Sequence, residues 1–188
     1  KALLKRIDLP YAFHFVSNSV CSADFIQNNS LNLLRDAGSF DPIHISDHLT
    51  CSRIGNLDLK GNIPTLYTEA SLRATIENIQ FFKKHHPIKT RFLLEHIPNP
   101  FSLNASSMPW EDFYLALLEE TNSFCLLDLH NLYCEEQNNN FNVINFLERI
   151  PTERVAEIHL AGGYFDESWQ HYCDGHCDNI PVNSIATF

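Results

Sequence analysis

The stretch that decides the fold reads FCLLDLHN at residues 124–131. Four consecutive apolar residues are too few for a helix and too continuous for a half-exposed strand, which is typical of a buried parallel strand. Asp128, His130 and Asn131 follow directly at its end. Because ligands of parallel α/β folds bind at the carboxyl ends of the strands, this stretch predicts a strand that ends in a functional site.

The same pattern occurs at four other places along the chain. The further apolar runs are Tyr11–Val16, Pro42–Ile45, Phe92–Leu94 and Val155–Leu160. Segments with helical spacing of apolar residues lie between the runs: Ala23–Ala37, Thr68–Lys84, Trp110–Glu120 and Phe141–Arg149. This alternation predicts an α/β fold with a parallel sheet. We expect a loop insertion within residues 49–90, before the helix there, and a turn at the asparagines 138–140.

Length and composition narrow the class of protein. The 188 residues predict one domain that covers residues 1–188. Residues 1–90 carry 10 Lys and Arg against 8 Asp and Glu, whereas residues 91–188 carry 3 against 15. This acidic second half argues against nucleic acid as a partner and suits a cation site. No apolar run is long enough for a membrane span, and the six cysteines form no secreted framework, so we expect a cytoplasmic protein.

Histidine or carboxylate side chains lie in or directly after every predicted strand, and an Asp-x-His pair follows later. The seven candidate ligands are His14, His48, Glu95, Asp128, His159, Asp174 and His176. Clustered carboxylates repel one another unless a cation compensates them. Imidazole together with carboxylate suits Fe(II), Mn(II) or Zn(II). Seven ligands exceed the need of one ion, which predicts two or three metal ions with bridging carboxylates.

Other polar residues near the strand ends are weaker candidates for the metal site. His130 and Asn131 are possible further ligands, and Asp47 and Glu157 are candidates for orienting the neighbouring histidines. A single histidine in a strand is more often a packed residue than a ligand, so the prediction depends on the whole set. We interpret His44 as structural.

Several strings in the chain resemble those of the multinuclear non-haem iron-dependent oxidases of the methanobactin-biosynthesis type. They are SDHL at 46–49, YTE at 67–69, LLEH at 93–96, LLDLHNLY at 126–133, EIHLAG at 157–162 and Asp174-x-His176. The resemblance runs in order from about Pro10 to about Val182. His96 stands where the family usually has Asn, and it is a further candidate for a ligand or an orienting residue.

The resemblance implies a TIM-barrel scaffold that holds two or three iron ions. The ligands that it implies are His14, His48, Glu95, Asp128, Asn131, His159, Asp174 and His176. It also implies an oxidoreductase that uses O2 to modify cysteine residues of a ribosomally made precursor peptide in natural product biosynthesis. Members commonly act with a second protein that recognises the leader of the peptide.

A TIM barrel has eight strands, and we expect the chain to contain about strands three to eight of them. The barrel is therefore expected to be incomplete. Because a barrel has no free edges, we expect a longer protein, a partner or a second copy of the chain to complete it. Two alternatives stay open. One is a Zn- or Mn-dependent hydrolase or sugar isomerase on a similar barrel, and the other is a non-catalytic remnant that binds metal or a partner.

Overall fold

The computed structural model describes residues 9–16, 18–27, 32, 36–37, 39–85, 90–99, 104–176 and 178–180. The strands are β1 (Phe13–Phe15), β2 (His44–His48), β3 (Arg53–Ile54), β4 (Leu57–Asp58), β5 (Arg91–Glu95), β6 (Phe124–Asp128), β7 (Val155–His159), β8 (Gly163–Asp166) and β9 (His171–Asp174). The α-helices are α1 (Glu69–His85), α2 (Trp110–Thr121), α3 (Leu129–Asn139) and α4 (Val143–Arg149). Short 3-10 turns lie at Phe25–Gln27 and Thr152–Arg154.

Five strands form one parallel sheet in the order β1-β2-β5-β6-β7. Each of the five apolar runs in the sequence supplies one of these strands, so the predicted α/β class and the parallel sheet are confirmed. The strand order has two ends, β1 and β7, within the described part of the chain. The arrangement is consistent with a wall of a TIM-like barrel, and a closed barrel stays a prediction.

Three of the four predicted helices are found as α1, α2 and α4. Of the predicted helix Ala23–Ala37, residues 23–24 form a turn, Phe25–Gln27 a 3-10 turn, and residues 32, 36 and 37 are helical, while the remainder lies outside the described residues. Helix α3 was not predicted, and it corrects the expected turn at 138–140. The helix continues through Asn139, and only Asn140 leaves it, with a left-handed φ of 53° that asparagine tolerates at a helix end.

Two antiparallel hairpins extend from the sheet. Strands β3 and β4 form the first hairpin within the predicted insertion, with Gly55 at a φ of 59° in its turn. Strands β8 and β9 form the second hairpin, which the sequence reasoning did not predict. The second hairpin follows the end of β7 directly, and therefore brings Asp174 to the carboxyl end of the sheet.

The two faces of the sheet differ in character. Apolar residues of one face, among them Ile45, Phe92 and Leu94, belong to the same buried cluster as Phe82 of α1 and Phe113 of α2. This burial of large apolar side chains is the main stabilising contribution to the fold. The opposite face carries the polar side chains considered below. Among the described residues, none of the helices combines the length and the apolar character that a membrane-spanning helix requires.

Candidate metal centre

Strand register places the candidate ligands on one face of the sheet. In a parallel sheet, residues that pair across neighbouring strands point to the same side. His14 pairs with Ser46, His48 with Glu95, and Asp128 with His159. The predicted convergence of strand-end side chains is therefore present in the structure.

A one-residue irregularity brings β7 into this arrangement. Cys125 pairs with Val155, but the next residue, Leu126, pairs with Glu157, so Ala156 has no partner in the register. An extra residue in one strand turns every following side chain to the opposite face. Without this shift, His159 would lie on the face that packs against the helices.

The first group of donor atoms surrounds one oxygen of Glu95. Its Oε2 lies 3.3 Å from His14 Nε2 and 3.1 Å from His48 Nε2, and the two nitrogens are 3.2 Å apart. Ser46 Oγ is 2.8 Å from His14 Nδ1, which is within hydrogen-bond distance. Three strands thus present two imidazole nitrogens and one carboxylate oxygen to a common point.

The second group surrounds Asp128 at the end of β6. Its Oδ2 lies 3.7 Å from His159 Nδ1 and 3.7 Å from His176 Nε2. His176 Nδ1 is in turn 2.9 Å from Asp174 Oδ1, so the second hairpin completes this group. The other oxygen of Glu95, Oε1, lies 3.8 Å from His159 Nδ1. Glu95 therefore connects the two groups, with one oxygen directed to each.

Local backbone structure explains the position of Asp128. The residue is the N-cap of α3, and its Oδ1 accepts a hydrogen bond of 2.8 Å from the backbone N–H of Asn131. Capping of this type is common for aspartate, because the first N–H groups of a helix have no partner within it. Oδ2 is left for the second group. The Asn131 side chain donates from Nδ2 to Glu95 Oε1 at 3.3 Å and to the His96 carbonyl at 2.9 Å.

Electrostatic interactions in the cluster shift the pKa values of His14 and His159 in opposite directions. Burial acts to raise the pKa of Glu95, but the neighbouring imidazoles of His159 and His48 outweigh it and lower the pKa to about 2. The nearby carboxylate of Glu95 raises the pKa of His159 to about 9. Burial, together with the neighbouring His48 and His159, lowers the pKa of His14 to about 4. Burial also raises the pKa of Asp128, which Glu95 and Asp174 raise further.

The donor atoms fit one or more divalent cations. Glu95 Oε2, Asp128 Oδ2, Asn131 Oδ1 and His159 Nδ1 are buried and make no well-aligned hydrogen bond. Buried polar atoms without a partner cost free energy, so a cation bound among them would stabilise this arrangement. The groups His14–Glu95–His159 and Asp128–His159–His176 each have donor atoms within 4.8 Å of one another. A set of nitrogen and oxygen donors suits iron, manganese or zinc.

Three of the four additional candidates lie away from these donor atoms. Asp47 pairs in register with Phe15 and Leu94, so it faces the helix side of the sheet, where burial raises its pKa well above the usual range. His96 stacks on Trp110 with 3.7 Å between ring centroids and lies 3.1 Å from Glu135. His130 points toward Cys134, with its Nε2 3.6 Å from Sγ.

Glu157, the fourth candidate, lies beside the second group. Its Oε1 is 3.3 Å from His159 Nε2, which suits the orienting role that the sequence suggested. Sequence reasoning missed Ser46 beside His14, and it interpreted His44, which lies beside Glu157, as structural. Ser46 and His44 alternate with His48 along β2. This spacing is the sequence signal that the three side chains share a face, because residues i, i+2 and i+4 of a strand point to the same side.

A separate cleft of about 480 Å³ lies between α2, α3 and α4. Trp110, Glu135 and Arg149 are among its lining residues, and none of the candidate ligands lines it. The polar cluster at the strand ends, rather than this cleft, has the residue types that chemistry at a metal requires.

Comparison with known proteins assigns the chain to a family. A family model described as "RiPP precursor modification enzyme MbnB/TglH/ChrH" matches residues 2–186. The chain belongs to this family of enzymes, which confirms the resemblance carried by the sequence strings.

Curated relatives share moderate identity with the chain. A UPF0276 protein of Anaeromyxobacter sp. (strain Fw109-5) is 30% identical over 184 residues, which cover 96% of this chain and 64% of the relative. A UPF0276 protein of Rhizorhabdus wittichii is 36% identical over 154 residues, 81% of this chain and 54% of the relative. One of Caulobacter vibrioides is 30% identical over 180 residues, 95% of this chain and 63% of the relative. The chain thus spans less than two thirds of the length of these relatives.

Proposed function

We propose that the chain is part of an iron-dependent oxidoreductase that uses O2 to modify cysteine residues of a ribosomally made precursor peptide. The observation that carries this proposal is the position of Glu95, whose two oxygens are directed to two separate groups of nitrogen and oxygen donors. A carboxylate in this position suits a centre with more than one metal ion, in agreement with the family of the chain.

Iron held by these residues would supply the electrons for the reduction of O2. His14, His48 and Glu95 would hold one ion, and Asp128, His159 and His176 would hold another, with Asp174 and Asn131 as further ligands. The low pKa of Glu95 keeps its carboxylate ionised at neutral pH, and the low pKa of His14 keeps that imidazole neutral. Both residues are therefore in the protonation state that ligation requires.

The burial of the donors suggests how a peptide could reach them. Glu95 and Asp128 are buried, whereas the side chains of His14 and His176 are 29% and 48% exposed. The cluster is thus accessible from the side of these two histidines. A cysteine thiolate is a soft ligand that suits iron, which would position the carbon next to sulfur for oxidation. We also propose that a leader-recognising protein or a second copy of the chain acts with it.

The first test is the metal content of the protein after anaerobic purification. Elemental analysis and Mössbauer spectroscopy are expected to show two or three iron ions per chain. Stoichiometric zinc or manganese with activity that does not depend on O2 would overturn the proposal in favour of a hydrolase or isomerase. Absence of any stoichiometric metal would contradict it in favour of a non-catalytic role.

The second test is O2 consumption with synthetic peptides that contain cysteine. We expect uptake of O2 with some of these peptides and none with the same peptides in which serine replaces cysteine. Asp128→Asn is expected to abolish the uptake. Asp112→Asn is a matched control, because Asp112 pairs with Arg149 on the exposed surface. Equal O2 uptake by the wild-type protein and Asp128→Asn would contradict the proposed site.

A further inference from the structure

We propose that His44 is a positioning residue, which holds Glu157 and through it directs Nδ1 of His159 toward the metal ligands. The proposal rests on the proposed function, because it requires the cluster around Glu95 and Asp128 to bind metal. It goes beyond that function by adding a residue that lies outside the ligand set.

The carboxylate of Glu157 lies between two imidazoles. Its Oε2 is 2.6 Å from His44 Nε2, an ion-pair distance without hydrogen-bond alignment, and its Oε1 is within hydrogen-bond distance of His159 Nε2 at 3.3 Å. Each oxygen therefore has its own histidine partner. The three side chains form a chain of contacts from His44 to the second group of donors.

This arrangement selects one tautomer of His159. In the form that binds metal, Nε2 carries the proton that is donated to Glu157 and the lone pair of Nδ1 is free. Nδ1 lies 3.8 Å from Glu95 Oε1 and 3.7 Å from Asp128 Oδ2, among the donors of the second group. A carboxylate behind a ligating histidine commonly fixes the orientation of the ring and increases the basicity of the ligand.

His44 supplies a restraint that Glu157 lacks on its own strand. The Glu157 side chain is 30% exposed, and a partly exposed glutamate loses rotamer entropy when it is held in one position. His44 is buried and comes from β2, whereas Glu157 comes from β7, and two strands lie between them in the sheet. The contact therefore crosses the concave face of the sheet, and strand pairing does not provide it.

The test measures the affinity of the protein for Co(II), whose visible absorption reports its ligands. The variants are His44→Leu, His44→Gln, Glu157→Gln and the double variant His44→Leu/Glu157→Gln. We expect His44→Leu to weaken Co(II) binding by about tenfold, the lower end of the range for such outer partners. His44→Gln keeps a donor near the position of Nε2, and it should restore the affinity to within about threefold of the wild type.

The double variant shows whether His44 acts through Glu157. If it does, the double variant binds Co(II) about as weakly as Glu157→Gln alone, because the two effects are not additive. Glu135→Gln is a control, because Glu135 also contacts a buried histidine, His96, but lies outside the donor cluster. It should change thermal stability and leave Co(II) affinity and absorption unchanged.

The outcomes separate the two proposals. Loss of thermal stability in His44→Leu with unchanged Co(II) affinity would overturn the positioning role and leave the metal centre in place. Additive effects of His44→Leu and Glu157→Gln would also overturn it. A wild-type protein that binds no Co(II) would contradict the proposed metal centre together with the positioning role.

Discussion

The imidazole rings of His14 and His159 lie 5.3 Å apart between centroids, although their strands are the two ends of the five-stranded sheet. In a flat sheet, four strand spacings would separate these strands by roughly 19 Å. The sheet must therefore curve strongly for the two rings to meet. Curvature, in addition to strand register, brings the donors of both groups together, and a bound metal would connect the ends of the sheet.

The position of Glu95 leads to a prediction about metal affinity. Glu95→Gln replaces an oxygen of one donor group with an NH2, which cannot ligate, and removes the negative charge that both groups share. We expect metal binding to weaken by more than about 100-fold, beyond the effect typical of residues that only support a ligand. Titration with Co(II) measures this change.

Glu111→Gln is a suitable control for that variant, because Glu111 lies in the first turn of α2, outside the donor cluster. The control should bind Co(II) as the wild type does. Equal binding by Glu95→Gln and the wild type would show that the metal is held elsewhere.

The raised pKa of His159 predicts that metal affinity depends on pH. The pKa of this imidazole is about 9, because the nearby carboxylate of Glu95 favours its protonated form, so it is protonated at neutral pH. Metal binding must release that proton. We expect the affinity for Co(II) to rise about tenfold per pH unit between about pH 6 and 8, and to level off above pH 9.

Glu95 and His14 should contribute little to this slope. The pKa of Glu95 is about 2 and that of His14 is about 4, so both have already lost their protons in this range. Calorimetry in buffers with different ionisation enthalpies can count the released protons. Affinity that is independent of pH would show that His159 is not a ligand.

The packing around Gly163 predicts a steric effect. A Cβ atom at this position would overlap His130 Nε2 and the carbonyl oxygen of Cys173. Because backbone cannot yield as a flexible side chain does, Gly163→Ala is expected to lower the free energy of unfolding by about 2 kcal/mol. It should also weaken metal binding, since Gly163 pairs with Asp174 in the second hairpin. Denaturant unfolding and Co(II) titration measure the two effects.

Gly61→Ala provides the comparison, because a Cβ there meets its nearest atom, in the Ile63 side chain, at an ordinary 3.7 Å. Stability should change by less than about 0.5 kcal/mol in this variant. Equal unfolding midpoints for the two variants would contradict the tight packing at Gly163.

The hydrogen bonds of Glu135 predict a large contribution to stability. Its Oε1 accepts from Asn99 N and Nδ2 and lies 3.1 Å from His96 Nε2, while Oε2 accepts from Asn139 Nδ2. Glu135→Ala leaves these buried donors without a partner. We expect a loss of about 3 kcal/mol in thermal or denaturant unfolding, against no measurable loss for the exposed Glu119→Ala.

The same contacts give this contribution a dependence on pH. Burial acts to raise the pKa of Glu135, but the bonds with His96 and the asparagines outweigh it and lower the pKa. A carboxylate with a lowered folded-state pKa stabilises the fold above its unfolded pKa, and this stability is lost as pH falls through the folded value. The difference in stability between wild type and Glu135→Ala should therefore shrink in acid. A constant difference would argue against the ionised form.

Much of the fold could be predicted from local sequence pattern. Each apolar run became a strand, because buried parallel strands have continuous apolar residues. Helix α3 was missed because its apolar spacing is weak and asparagines occupy its last turn, and its start depends on the cap formed by Asp128. The pattern Asp-x-x-Asn at 128–131 indicates a cap of this kind, but both residues were interpreted only as candidate metal ligands.

The set of candidate ligands was also accessible from the sequence, because strand ends meet at one edge of a parallel sheet. The positions of the Asp47 and His44 side chains could not be predicted in this way. Asp47 is next to His48 in sequence but points to the other face, and His44 reaches Glu157 only because the sheet curves. Curvature and register come from tertiary packing, which the pattern of a single segment does not contain.

The unpaired Ala156 has a consequence for the comparison of relatives. Two sequences can share every histidine and carboxylate of the cluster and still differ by one residue between Val155 and Glu157 within β7. An alignment would score that gap as trivial, yet it would reverse the side to which His159 points. Conservation of the candidate ligands alone is therefore insufficient to infer activity in this family, and the spacing that precedes His159 has to be conserved as well.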